Sequence, residues 1–73
     1  MHENYGQIGR NITSALKAKG KTQLWLSKQS GIDSSSVSKY MRGQIIPSLY
    51  NAIRLCKVLD INLDELAKGW IYE

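Results

Sequence analysis

The stretch TQLWLSKQSGIDSSSVSKYMRG, Thr22 to Gly43, holds two short helical patterns joined by three residues around a glycine. Thr22 places a hydroxyl where it can cap the amides that follow, and Asp33 does the same for the second pattern. Gly31 can take the positive φ that ends the first helix sharply, and Gly43 stops the second. Ser27 is small where the second helix crosses close by. Leu26, Ile32, Val37 and Tyr40 are the inward residues that hold the pair at its angle. The front of the second helix, a serine cluster, is left projecting outward.

Outward from this pair, glycine, proline and capping residues divide the chain into five short helical segments. The first runs from about Gln7 to Lys19, with Ile8, Ile12, Ala15 and Leu16 on one stripe and Gly20 as its stop. The fourth follows Pro47 and Ser48 and is expected to bury Leu49, Ala52, Ile53, Cys56 and Leu59. The fifth opens with NLDE, where Asn62 caps and Glu65 reaches back as in a capping box. Strand signals are absent, since the longest β-branched run is Ile45 and Ile46 before a proline. The fold class is therefore all-α, five helical segments forming one domain over residues 1–73. Its central helical pair spans about 22–43, and an apolar C-terminal tail spans 69–73.

Charge is distributed unevenly. Between Arg10 and Lys57 nine cations face Asp33 alone, +8, whereas the flanks carry −4 and bring the total to +4. A basic middle suits an anionic partner. The single cysteine, Cys56, permits no internal disulfide and suits a reducing compartment. No signal peptide or membrane-length apolar run is present, so the expected location is cytoplasmic, with no membrane partner. Catalysis is not expected, because His2 is isolated, Cys56 fits the buried stripe of the fourth helix, and Asp64 and Glu65 suit a helix N-terminus. No cofactor, metal or small-molecule substrate is implied.

The spacing within residues 22–43 is that of a helix-turn-helix. Together with the IG of Ile8 and Gly9, the TQ of Thr22 and Gln23, glycines 31 and 43, Pro47 and the closing LDINLDEL, it resembles the lambda-repressor-like, Cro and C1 type of DNA-binding domain. The resemblance spans Ile8 to Leu66 and looks most like small phage Cro-sized regulators. It implies a five-helix fold and binding to double-stranded operator DNA, with helix 34–42 in the major groove. By position, Gln23 falls where the family anchors a phosphate, Ser34, Ser35 and Lys39 where it reads base edges, and Ser36, Ser38 and Arg42 nearer the backbone. Lysine can donate to guanine O6 and N7, which makes Lys39 the leading base reader.

Three departures from the family pattern stand out. A buried arginine–glutamate pair is replaced by Leu16 and Met41, which are expected to touch. The loop GQIIPS carries no charge, leaving Arg42 nearly alone on the phosphates there. Trp25 falls about opposite Ser27 and Ser30 on the helical wheel and is expected to face away from the core. It is then either an anchor for another protein or a partner for Trp70, Ile71 and Tyr72 of the tail.

Two functions follow. The first is a transcriptional regulator of a phage lysis/lysogeny-type switch, a symmetric homodimer on a pseudo-palindrome with half-sites about 34 Å apart. The alternative is an antirepressor that docks on a cognate repressor, with Leu24, Trp25, Ile45, Ile46, Trp70 and Tyr72 as candidate interface.

Overall fold

The computed structural model describes residues 5–69. Five helices follow in order: α1 Tyr5–Lys19, α2 Gln23–Ser30, α3 Ser34–Met41, α4 Leu49–Leu59 and α5 Leu63–Leu66. No strand occurs among the described residues. The boundaries fall where capping chemistry places them. Thr22, Asp33, Ser48 and Asn62 each accept an amide hydrogen bond at a helix start, and Asn62 with Glu65 completes the capping box. Gly20, Gly31 and Gly43 have positive φ at or just beyond helix ends.

One core joins all five helices. Ile8, Ile12, Leu16, Leu26, Ile32, Val37, Tyr40, Leu55, Leu59 and Leu66 are buried, with Ala52 and Cys56 at its edge. Leu16 is buried and Met41 is half-buried against that core. In α4 the inward side differs from expectation. Leu55 is fully buried, whereas Leu49 is 69% and Ile53 41% exposed. The apolar arc of α4 is wider than the surface its neighbours cover, and the neighbours choose the Leu55 side.

Two backbone positions fix how the helices meet. A methyl group at Gly9 would stand 2.3 Å from the Met41 carbonyl oxygen, so α1 crosses the end of α3 in direct backbone contact. Two residues on, Asn11 donates to the carbonyls of Leu66 and Lys68 at 2.7 and 2.8 Å and so ties α1 to the close of α5. No helix among the described residues is long and apolar enough to cross a membrane.

Candidate nucleic-acid interface

The turn between α2 and α3 is closed by two serine hydroxyls. Ser30 is buried; its hydroxyl donates to the Ser27 carbonyl at 3.4 Å and accepts from the Ile32 amide at 3.2 Å. The Ser27 hydroxyl donates to the Ile32 carbonyl across the bend. Gly31 carries φ +74, and the Arg54 guanidinium lies where its side chain would stand. Among the described residues no buried side-chain nitrogen or oxygen lacks a partner. The bend is thus satisfied internally and leaves the outer side of α3 free of structural duty.

Asp33 opens α3. One carboxylate oxygen accepts the Ser36 amide at 3.0 Å and the other accepts the Ser36 hydroxyl at 2.9 Å. These two bonds, the amide foremost, hold the Asp33 carboxyl below its ordinary pKa. They also occupy the Ser36 hydroxyl as a donor. Val37 and Tyr40 point into the core. At about 100° per residue, Ser35, Ser38, Lys39 and Arg42 share an arc of about 100° on the opposite side. Ser35, Lys39 and Arg42 are exposed, Ser38 is half-buried, and Ser34 is exposed at the edge of the arc. The helix ends at Met41 with Arg42 as its C-cap, and the Gln44 amide donates back to Lys39 at 2.9 Å in a glycine-terminated close.

Gln23 is the first residue of α2 and half-buried, beside Thr22, whose hydroxyl accepts the Trp25 amide at 3.1 Å. The structure therefore gathers Ser35, Ser38, Lys39 and Arg42 into one stripe, sets Ser34 at its margin and Gln23 on the neighbouring helix, and turns Ser36 toward its cap.

Behind this stripe lie residues that carry no motif letter. The Asn51 amide nitrogen donates to the Tyr40 hydroxyl at 3.0 Å, tying α4 to α3. Arg54 sits 5.1 Å over the Tyr50 ring and beside Gly31, tying α4 to the turn. In sequence these are a polar pair inside an apolar helix. That signal marks a candidate partner for buried polar atoms, and sequence reading passed over it.

The candidate protein-interface residues divide. Leu24, Ile45 and Ile46 are exposed. Trp25 does not face away from the core: it is half-buried and packed against it, with the Lys21 ammonium 5.5 Å from the ring centroid. The wheel fixes where the Trp25 Cβ points, whereas the long indole reaches the edge of the core. Trp70 and Tyr72 lie outside the described residues.

Comparison with known proteins now bears on this geometry. The helix-turn-helix family model matches residues 12–66. The cryptic phage CTXphi transcriptional repressor RstR of Vibrio cholerae is 31% identical over 64 residues, covering 88% of this chain and 57% of that protein. The chain thus spans little more than half the length of this curated relative. The crystal structure of the restriction-modification controller protein C.AhdI from Aeromonas hydrophila superposes with a TM-score of 0.81 at 36% identity, over 86% of this chain and 96% of that one.

Proposed function

Since the chain belongs to the helix-turn-helix family, we propose that it is a sequence-specific DNA-binding transcriptional regulator that lays α3 in the major groove of its operator. The observation that carries this reading is the outward stripe Ser35, Ser38, Lys39 and Arg42, backed by an internally satisfied turn. Two cations on the stripe meet phosphates and guanine edges, while the serines, which donate or accept, read bases permissively. Lys39 acts on a base edge; Arg42, Ser38 and Gln23 set register on the backbone. Ser34 and Ser35 complete the edge contacts, and Ser36 contributes mainly by holding the helix start.

One such helix reads only a few base pairs. A symmetric pair of chains on a pseudo-palindrome, with half-sites about 34 Å apart, supplies the rest. The phage transcriptional repressor among its relatives supports reading it as part of a small genetic switch of lysis/lysogeny type.

The antirepressor reading draws on exposed Leu24, Ile45 and Ile46. It loses its principal anchor in Trp25, whose indole is engaged by the core and Lys21. DNA reading is therefore the better-supported function.

Selection from random duplex DNA at low salt, followed by gel shift, tests it. The expected result is enrichment of an inverted repeat. Failure to enrich any motif would overturn the proposal, and capture of a partner repressor without DNA binding would favour the antirepressor.

A further inference from the structure

Of the nine cations between Arg10 and Lys57, only Lys39 and Arg42 belong to the α3 stripe. Two others, Arg54 and Lys57, line a groove of about 250 Å³ between α2 and α4, together with Gln29, Ser30 and Val58. No acid stands among these five. Asp33, the one acid between Arg10 and Lys57, spends both carboxylate oxygens on Ser36. The groove is therefore a cationic hollow without a carboxylate of its own.

Arg54 is held in place there. Its guanidinium lies 5.1 Å over the Tyr50 ring, and a Cβ at Gly31 would stand 2.5 Å from it. Lys57 is exposed and follows about 60° round α4. Tyr50, 69% exposed, falls within the same arc of about 60°. Asn51 marks the side of α4 that holds α3, and it lies about 100° from Tyr50 and about 120° from Lys57. The Tyr50 and Lys57 side of α4 thus turns away from the reading helix.

We infer that this α2–α4 groove receives a carboxylate side chain from an acidic, partly apolar segment of another protein, while α3 stays on DNA. A guanidinium accepts a carboxylate through two parallel hydrogen bonds, and one already stacked on an aromatic ring loses little freedom in doing so. Lys57 adds a second positive charge, and the exposed Gln29 amide can donate beside it. The volume is below the roughly 300–1,000 Å³ of small-molecule sites, so the hollow suits one side chain of a larger partner. Around it the surface is partly apolar, with the Tyr50 ring exposed and Val58 half-buried. A phosphate backbone offers charge but nothing apolar to cover these groups, whereas a protein segment carrying both acids and apolar residues offers both. Arginine and tyrosine are also the residue types that most often anchor protein interfaces.

Titration of the full chain, followed by amide NMR, tests this. The probes are a synthetic amphipathic helix bearing glutamates beside leucines, the same peptide with every Glu replaced by Gln, and a short duplex of unrelated sequence. The acidic peptide is expected to shift the amides of Gln29, Gly31 and residues 54–58, and the Gln peptide to bind about tenfold or more weakly. Arg54→Gln should weaken the acidic peptide about tenfold, and Lys57→Gln should weaken it and flatten its salt dependence. Lys57 is exposed, so its variant keeps the test independent of folding. Lys19→Gln, at the end of α1, is the charge control and is expected to change nothing. Random-duplex selection with both groove variants should return the wild-type motif at wild-type affinity, and the acidic peptide should still bind the chain on its operator.

Equal binding of the Gln peptide, or no shift at residues 54–58 up to millimolar acidic peptide, overturns the inference. So does a loss of DNA affinity with Lys57→Gln that the acidic peptide does not share, which would make the groove a phosphate surface. Peptide binding at the groove in a chain that selects no DNA motif supports the inference and removes the operator reading instead.

Discussion

Asn51 donates a hydrogen bond to the Tyr40 hydroxyl at 3.0 Å, and through it the helix that follows the uncharged loop is fastened to the helix that carries the exposed Ser35–Arg42 stripe. Tyr40 is buried and Asn51 half-buried, so the bond is shielded without being sealed. Tyr40→Phe keeps the ring in the core and deletes only this bond. The expected cost is about 1 kcal/mol of unfolding free energy, measured by urea denaturation, with Asn51→Ala costing a similar amount. The double variant is expected to cost less than the two single losses added together, because they remove the same bond.

The contact between Gly9 and Met41 gives a larger effect. Alanine at position 9 gains about 1 kcal/mol of helix propensity, yet its methyl group meets the Met41 and Tyr40 carbonyls at 2.3 to 2.8 Å. Those atoms are backbone and cannot rotate away, so α1 must lift off α3. Gly9→Ala is expected to destabilise the fold by about 1 to 3 kcal/mol net. For a domain of this size, each lost kcal/mol lowers Tm by about 4 to 8 °C. A melting temperature at or above that of the wild type would show that the helices separate without cost.

Much of this fold was legible in the sequence, because its helix starts and stops are chemical. Thr22, Asp33, Ser48 and Asn62 cap as their side chains predict, and the glycines turn where glycine alone turns easily. The inward pair Val37 and Tyr40 was equally plain, since α3 has a narrow apolar side. Where packing decides, the letters were insufficient. In α4 the apolar residues span an arc too broad to be buried whole, so periodicity could not choose between Leu55 and the pair Leu49 and Ile53. Position 9 reads as a helix glycine, and nothing local announces a backbone crossing with residue 41. Ser30 falls on the core side opposite Trp25 by its spacing, yet nothing in the letters shows that its hydroxyl closes the turn. The exposed stripe of α3 was legible as a set of residues. That Ser36 leaves it to serve Asp33 depends on side-chain geometry beyond any spacing rule.

Acid sensitivity should originate partly at the start of α3. The Asp33 carboxyl is held below its ordinary pKa by the Ser36 amide and hydroxyl. A group whose folded pKa is depressed adds stability above its unfolded pKa and loses it as pH falls through the folded value. The affected window therefore runs downward from the ordinary aspartate pKa of about 3.9. Asn is as good an N-cap as Asp but does not titrate in this range. Asp33→Asn is expected to match the wild type near neutrality in denaturant melts and to show a shallower loss of stability in acid. An identical acid limb in the two proteins would place the titrating group elsewhere.

Lys39 and Arg42 share the exposed stripe of α3 but should fail in different ways when truncated. Arg42 follows the last turn of α3, where the proposed docking sets its cation on the phosphate backbone. Arg42→Ala is therefore expected to weaken binding evenly across operator sequences and to reduce the slope of log affinity against log salt by about 1. Lys39 lies about one turn earlier on the exposed stripe, where the proposed docking brings it to a base edge. Lys39→Ala is expected to cost about 1 to 3 kcal/mol on the selected operator and to relax preference at one base position in each half-site. Lys28, exposed on α2 and away from the stripe, serves as the charge control: Lys28→Ala removes the same formal charge and should leave base preference unchanged. The measurement is a repeat of the random-duplex selection with each variant, combined with titrations at several salt concentrations. If Lys39→Ala lowers affinity without altering any position of the selected motif, lysine acts on phosphate alone and base reading passes to Ser34 and Ser35.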